Sequence, residues 1–565
     1  MNKAAQNLEL AKYWLKEGLI DSAKELLEEM IRVDSDNPQA YELLAKIYTH
    51  LNNDLAAIAL LQKICDESSP PNILLMLGDL YLESGQTNRA INLYQQILSK
   101  HGPLFEALHN LGLAHASLFQ YQTAEKYFEQ ACVIDPNSFE AQMNLGSCLN
   151  NLGEYGRSLK HLSRAQELDP DNSYIWLNKG VTFEAMNNPT EALTCFDRAI
   201  ELNSQYVEAF TNKGNLLISL KRHTEAAQLF DKALQIAPDD KDTLYNQSLL
   251  QLALGDYERG WRNYENRWLR QNAPKRFFND TPLLSSLDDL KNKRILIWSE
   301  QGLGDTLQFC RYLPALKELG AHFTLATQQP LIDLLSEQAY LDSVIAIDTK
   351  APPNITHQIP LLSLPYLFSS SNFALPTFSP YLLSNVDKRI AWQKEMAGAN
   401  KLKVGIVWNG GFRPNQPECW GVNARRNLPL AEIAKLQEVD EIQFFSLQKG
   451  EPAESELTQL RDALWPSDNL TILGDQLSNF SDTAALVDCL DLIICVDTSI
   501  AHLAGALGKP FWLLNRFDSC WRWQIDQNKT WWYPEAKIIN QPKAGDWESV
   551  MNQVIAHLRT LAPSN

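Results

Sequence analysis

Small and apolar positions recur through the first half of the chain with a period of 34 residues, marked by Gly78, Gly112, Gly146, Gly180 and Gly214. Twelve positions after each glycine stands a small residue: Ala90, Ala124, Ser158, Ala192 and Ala226. Aromatic or apolar residues follow at Tyr94, Phe128, Leu162, Phe196 and Phe230, and Ala131, Ala165, Ala199 and Ala233 complete the pattern. Pro136, Pro170 and Pro238 end their units, with Ser204 in the remaining slot. Each period predicts two antiparallel helices packed at their small residues. The array begins in weaker form around residues 5–36 and 40–69. It continues past 240, where Gly260 and Tyr264 hold the small and aromatic columns but Arg267 stands where other units have Ala. A departing last unit is expected of a cap, or of a unit docked on a following domain.

From Lys293 the pattern changes to short apolar runs alternating with helical periodicity. Strands are predicted at Arg294–Trp298, His322–Ala326 and Ser343–Ala346, with helices at Phe309–Leu319 and Leu331–Gln338. A second set has strands at Lys403–Trp408, Gln443–Leu447, Leu470–Ile472, Leu492–Val496 and, as the last, Phe511–Leu514. Its helices are Leu430–Leu436, Thr483–Cys489, Ser499–Leu507 and a closing Trp547–Leu561. Residues 270–292 hold two prolines and no sustained period and read as a linker, and the Pro- and Ser-rich stretch 352–381 reads as loop. Two βα sets joined by one crossover predict two Rossmann-like lobes facing across a cleft.

At 565 residues several domains are expected, and 45% hydrophobic with 21% charged content fits a soluble globular protein. The formal net charge of -18 argues against nonspecific nucleic-acid binding, which needs a basic surface. The nine cysteines form no CxxC pair and predict reduced thiols in a cytoplasmic protein. The N-terminal stretch lacks a signal-peptide core, and no run of 18 apolar residues occurs, so no membrane span is expected.

The chain's candidate chemistry centres on Trp298–Phe309, WSEQGLGDTLQF, read as strand, turn and helix. Gly302 and Gly304 let the backbone turn tightly against a ligand. Asp305 falls near the first helical turn, either as an N-cap or as a carboxylate that takes a proton. In the second lobe, Asp497, Thr498 and Ser499 sit where a strand runs into a helix, a place that favours phosphate, though plain capping fits the pattern as well. Arg425 or Arg426 could supply charge to a diphosphate, or lie on a solvated loop. Gln448 and Lys449 end a strand at the same edge. The aromatic run Trp521, Trp523, Trp531, Trp532 and Tyr533 either stacks on a donor or fills the core. Asn110, Asn144, Asn178, Asn212 and Asn246 form one more column of the repeats. A mid-helix Asn is mildly unfavourable, so its recurrence fits either bonding between repeats or an amide ladder for an extended peptide, since Asn both donates and accepts.

The repeat pattern is the tetratricopeptide signature, and its Asn column resembles that of eukaryotic O-GlcNAc transferase, which implies a groove that holds protein substrates. The motifs LIWSEQGLGDTLQFCRYLPAL, ARRNLPL, FSLQKG, VDTSIAHLAGALGKPFW, WWYP and QPKAGDW resemble bacterial tetratricopeptide-repeat glycosyltransferases whose catalytic part is similar to the ADP-heptose heptosyltransferases. That resemblance implies an all-α repeat superhelix at 1–270 (about eight units, the last degenerate), a linker at 271–292, and an α/β two-lobed (GT-B type) region. In it, 293–390 is the acceptor-side lobe and 391–565 the nucleotide-sugar lobe. It implies Asp305 as catalytic base, with donor phosphates contacted by Asp497, Thr498 and His502 and balanced by Arg425 or Arg426. It further implies an inverting, metal-independent transfer with no cofactor beyond a nucleotide sugar (CMP-, UDP- or another NDP-linked). The acceptor would be a protein. Enzymes of this build glycosylate flagellin with a sialic-acid-like sugar, and flagellin is the implied partner. The competing readings are a non-catalytic repeat scaffold and a surface-polysaccharide enzyme.

Overall fold

The computed structural model describes residues 3–34, 37–66, 69–270, 273–370, 380–396, 401–411, 420–525 and 527–561. It divides into two compact units, Met1–Ser204 and Gln205–Asn565. The first unit is six antiparallel helix pairs, running from Lys3–Lys16 with Ile20–Val33 to Ser173–Ala185 with Pro189–Leu202. Its glycine column exists because the aromatic column fills the space beside it. A Cβ on Gly112 would lie 2.5 Å from the Phe128 ring, and one on Gly180 the same distance from Phe196. Ser158, the polar member of the small column, is buried and satisfied by the Gly146 carbonyl at 2.7 Å and Thr182 Oγ1 at 3.2 Å.

The second unit opens with two further pairs, Val207–Ser219 with His223–Ile236 and Lys241–Ala253 with Tyr257–Tyr264. Two sheets follow. β1 (Arg294–Trp298), β2 (His322–Thr327), β3 (Ser343–Ala346) and β4 (His357–Pro360) form the first, in the order β3-β2-β1-β4. β5 (Leu402–Val407), β6 (Ile442–Ser446), β7 (Leu470–Ile472), β8 (Leu492–Val496), β9 (Phe511–Asn515) and β10 (Ala536–Asn540) form the second, in the order β10-β9-β8-β5-β6-β7. Every pairing is parallel. Counted from β5, the second order is the doubly wound 3-2-1-4-5-6, with its switch point between β5 and β8. The first sheet reverses in the same way between β1 and β4.

The structure departs from the sequence reading in places with a physical cause. The stretch expected to be loop holds β4 and the helix Leu364–Ser369. β4 has only four residues, ends in Pro, and owes its place to β1 beside it. The expected linker packs down: Leu284 N–H donates to the Gln358 carbonyl at 2.8 Å, and Leu284, Leu287 and Leu290 are buried. Phe511–Asn515 is not the last strand, since β10 pairs alongside it. The helix expected at Phe309–Leu319 is Tyr312–Glu318, and a separate helix, Leu303–Phe309, precedes it and holds Gly304 and Asp305 in its first turn.

The departing last repeat is docked. Arg267 is buried and donates to Glu300 Oε1 at 2.7 Å, to Glu265 Oε1 at 2.6 Å and to Ser363 Oγ at 2.7 Å. Its guanidinium lies over the rings of Tyr264 and Trp268, 4.6 and 4.7 Å from their centroids. Trp261 of the same repeat meets Phe309 and Trp521 edge-on, with centroids 5.7 and 5.5 Å apart. The last helix pair thus shares one apolar core with both lobes.

Candidate active site

The carboxyl ends of β1, β5, β6 and β8 open on one cleft of about 470 Å³, the edge at which open α/β sheets bind ligands. On the first-lobe side, Gly302 is the N-cap of the helix Leu303–Phe309. Asp305 reaches back so that its Oδ2 accepts the Gly302 N–H at 3.0 Å. This is capping geometry. The other oxygen, Oδ1, accepts from Arg522 Nη2 across the cleft, an ion pair with both side chains mostly buried. Gly304 faces the helix Ser499–Ala506: a Cβ there would stand 2.8 Å from His502 Cδ2 and 3.4 Å from Ser499 Cα. Only glycine permits that approach.

On the second-lobe side, Thr498 is the N-cap of the helix Ser499–Ala506, yet its side chain caps nothing and its buried hydroxyl has no partner. Such a hydroxyl costs on the order of 1–3 kcal/mol. It lines the cleft with Asp497 and Ser499 at a helix start whose free N–H groups favour an anion. Arg426 is held at the same wall, donating to the Asp497 carbonyl at 3.0 Å and to Asn423 Oδ1 at 2.5 Å. Lys449 lines the cleft and donates to the Gly474 carbonyl at 2.8 Å. Gln448 is a staple between loops: its Oε1 accepts from Asn409 N at 3.0 Å and its Nε2 donates to the Asn409 and Lys449 carbonyls.

His502 is buried at the cleft wall, with Nδ1 3.0 Å from the Tyr533 hydroxyl and its ring stacked on Trp523 at 5.1 Å. Burial pushes its pKa down to about 4, against the pull of nearby Asp497. The imidazole that faces the cleft is therefore neutral at neutral pH.

Of the two arginines left open by the sequence, the structure puts Arg426 at the cleft and Arg425 away from it. Arg425 donates to Asp518 at 3.0 Å and is 41% exposed. Consecutive helical residues point about 100° apart, so one of the pair had to face elsewhere. In the aromatic run, Trp521, Trp523, Trp532 and Tyr533 are core. Arg522, between two of these tryptophans, is the cleft residue that sequence reasoning missed. A charged residue inside a buried aromatic run needs a partner, and that was the available signal.

The Asn column divides. In the first unit, Asn110 donates to Asp79 Oδ1 at 2.6 Å and Asn144 lies 2.9 Å from His109 Nε2, both bonds between repeats. Asn178 bonds its own helix at the Tyr174 carbonyl, 2.9 Å away. In the second unit, Asn212 and Asn246 make no hydrogen bond among the described residues.

Comparison with known proteins adds to this geometry. Tetratricopeptide-repeat models match residues 8–72, 75–139 and 177–241, and a second such model matches 116–180. The model of Glycosyltransferase family 9 (heptosyltransferase) matches 431–514, a span that includes Asp497–His502 but not Asp305, Arg426 or Arg522. Protein FlbA of Caulobacter vibrioides is 27% identical over 358 residues, 58% of this chain and 57% of that protein. Tetratricopeptide repeat protein 21A of Mus musculus is 26% identical over 132 residues, 23% of this chain and 10% of that protein. The chain thus spans little more than half the length of the first relative and a tenth of the second. Among solved structures, a tetratricopeptide repeat protein from Parabacteroides merdae is 20% identical with a TM-score of 0.39, covering 44% of this chain and 100% of its own. YrrB, described as a TPR protein with an unusual peptide-binding site, is 22% identical with a TM-score of 0.29, covering 33% of this chain and 97% of its own. The chain carries tetratricopeptide repeats followed by a glycosyltransferase family 9 region set in the second, doubly wound sheet.

Proposed function

We infer that this chain is a glycosyltransferase that moves a sugar from a nucleotide-sugar donor to a hydroxyl side chain of a protein held by its repeats. The observation that carries this reading is the partnerless Thr498 hydroxyl, buried at a helix start with Arg426 and Lys449 on the same wall and Asp305 opposite. A donor phosphate would meet the N–H groups at Ser499, the Thr498 hydroxyl and the two cations, which stabilise the charge that develops as it leaves. The acceptor oxygen attacks the sugar's anomeric carbon and passes its proton to Asp305, while the bond to phosphate breaks and the nucleotide departs. Cations of the chain itself serve the leaving group, so the transfer needs no metal. The sequence resemblance adds the finer reading: flagellin as acceptor and a sialic-acid-like sugar as donor, with the reaction in the cytoplasm. No helix among the described residues is long and apolar enough to cross a membrane.

The test is intact-mass measurement on candidate acceptor proteins, flagellin included, incubated with the full chain and a panel of nucleotide sugars. A sugar-sized gain that Asp305→Asn abolishes supports the reading. No gain with any donor sinks it. One observation favours a second reading, a scaffold that only senses a nucleotide sugar: both Asp305 oxygens are engaged, as in a plain cap. Nucleoside-diphosphate binding with no transfer to any acceptor would select it.

A further inference from the structure

Arg522 donates from Nη2 to Asp305 Oδ1, while Asp305 Oδ2 accepts the Gly302 N–H at 3.0 Å. The guanidinium has further donors at hand. Its Nη1 goes to Cys520 Sγ at 3.1 Å, a weak acceptor, and its buried Nε–H has no partner. The backbone beneath it is fixed. The Trp521–Trp523 turn is closed by the Trp523 N–H on the Cys520 carbonyl at 3.0 Å, and both tryptophans are core. Gln524 leaves that turn at a φ of 59°, a left-handed conformation that a non-glycine residue keeps only where its surroundings impose it. The guanidinium lies over the Trp521 ring, 4.4 Å from its centroid. A ring face sets the height of a cation above it more than its position in the plane. Arg522 can therefore change partners by moving its side chain alone.

The transfer inferred above moves charge as well as a proton. The acceptor oxygen bonds to the anomeric carbon, the bond from that carbon to the donor phosphate oxygen breaks, and the acceptor proton passes to Asp305. One negative charge disappears from the carboxylate and one appears on the phosphate. A hydrogen bond to a charged group is roughly twice as strong as one between neutral groups. Arg522 bound to Asp305 therefore opposes protonation of the base. Arg426 and Lys449, on the opposite wall, donate to the Asp497 and Gly474 carbonyls, which stay neutral throughout. Arg522 lines the same cleft and is paired with the very carboxylate that the reaction neutralises. We propose that Arg522 is a cation shared between base and leaving group: it holds Asp305 in place, then passes its hydrogen bond to a phosphate oxygen of the nucleotide sugar. The handover frees Oδ1 to take the proton and adds Arg522 to the cations on the departing phosphate. It also explains how a carboxylate with both oxygens engaged serves as a base. The claim rests on the reading above that the cleft takes a nucleotide sugar.

The experiment is a double-mutant cycle on nucleotide affinity, read by calorimetry with the full chain and with CMP, ADP, GDP and UDP as probes. Asp305→Asn removes the carboxylate that competes with phosphate for Arg522. The nucleotide that binds should therefore bind about tenfold more tightly to Asp305→Asn than to the native chain. In an Arg522→Gln background the same substitution should give no gain, because the cation it would release is gone. An equal gain in both backgrounds would mean that Asp305 merely repels phosphate, and it overturns the proposal. No gain in either background overturns it too. Melting temperatures check that the variants fold. Should Arg522→Gln fail to fold, a crystal structure of the native chain with the bound nucleotide decides. Arg522 bonded to a phosphate oxygen and released from Asp305 Oδ1 supports the handover, and an intact Arg522–Asp305 pair overturns it. A native chain that binds none of the four nucleotides sinks the nucleotide-sugar reading and the handover with it, whereas binding without coupling sinks the handover alone.

Discussion

Asp305 and Thr498 face each other across the cleft with opposite deficits: a carboxylate with both oxygens used, and a hydroxyl with none of its bonding used. If Asp305 is the base, Asp305→Asn keeps the cap to Gly302 and loses about 10²–10⁴-fold in transfer rate, measured as sugar incorporated per unit time. If Thr498 waits for phosphate, Thr498→Val weakens nucleoside-diphosphate binding about tenfold by calorimetry, and it leaves the urea midpoint unchanged or higher because no protein bond is lost. His502 gives a pH prediction. Its pKa falls from 6.5 in the unfolded chain to about 4 in the native protein, through burial. Between those values the unfolded chain holds a proton that the native protein does not, so stability is present above pH 6.5 and is lost as pH falls toward 4. The loss is roughly 3 kcal/mol, and His502→Gln, followed by urea melts at pH 7 and 4.5, should show a smaller drop. At this scale Gly302, Gly304, Asp305 and the Asp497–His502 stretch were legible, since each sits at a strand-to-helix turn. Arg425 against Arg426 was not, because one residue of helical phase separates them. Nor was Arg522, whose partner lies 217 positions away.

The repeat helices were legible because their period recurs many times, and a column of glycines against a column of aromatics has one packing solution. β4 and β10 were not. Each is a single short run whose strand identity comes from its neighbour, β1 for one and β9 for the other. The docked last repeat is the element-scale claim most open to measurement. Removing one partner of a buried ion pair strands the other charge and costs about 3–5 kcal/mol, whereas replacing both partners by uncharged residues of similar volume costs far less. Arg267→Met should therefore lower the melting temperature of the second unit strongly, because it leaves Glu300 buried without its cation, and Arg267→Met combined with Glu300→Gln should recover most of that loss. An equal loss in the double variant would mean that the packing of Arg267 on Tyr264 and Trp268, not charge pairing, holds the repeat in place.

At the scale of the molecule, the sequence predicted repeats followed by two parallel α/β sheets, and the structure has both. The departing last unit left docking on a following domain as one of two expectations; what the sequence did not predict is that the pair before it, Val207–Ser219 with His223–Ile236, also belongs with the α/β part in one compact unit. That division follows from contacts of Trp261 with Phe309 and Trp521 and of Arg267 with Glu300 and Ser363, partners far along the chain that no local pattern encodes. It places the last repeats and the cleft in one body, and that pairing is what the proposed transfer from a nucleotide sugar to a protein builds on. The most direct test is the intact mass of flagellin and other candidate acceptors after incubation with the full chain and each nucleotide sugar. The account predicts a discrete sugar-sized gain with one donor, absent in Asp305→Asn. Stable acceptor binding with no gain under any donor, or an undiminished gain in Asp305→Asn, would contradict it.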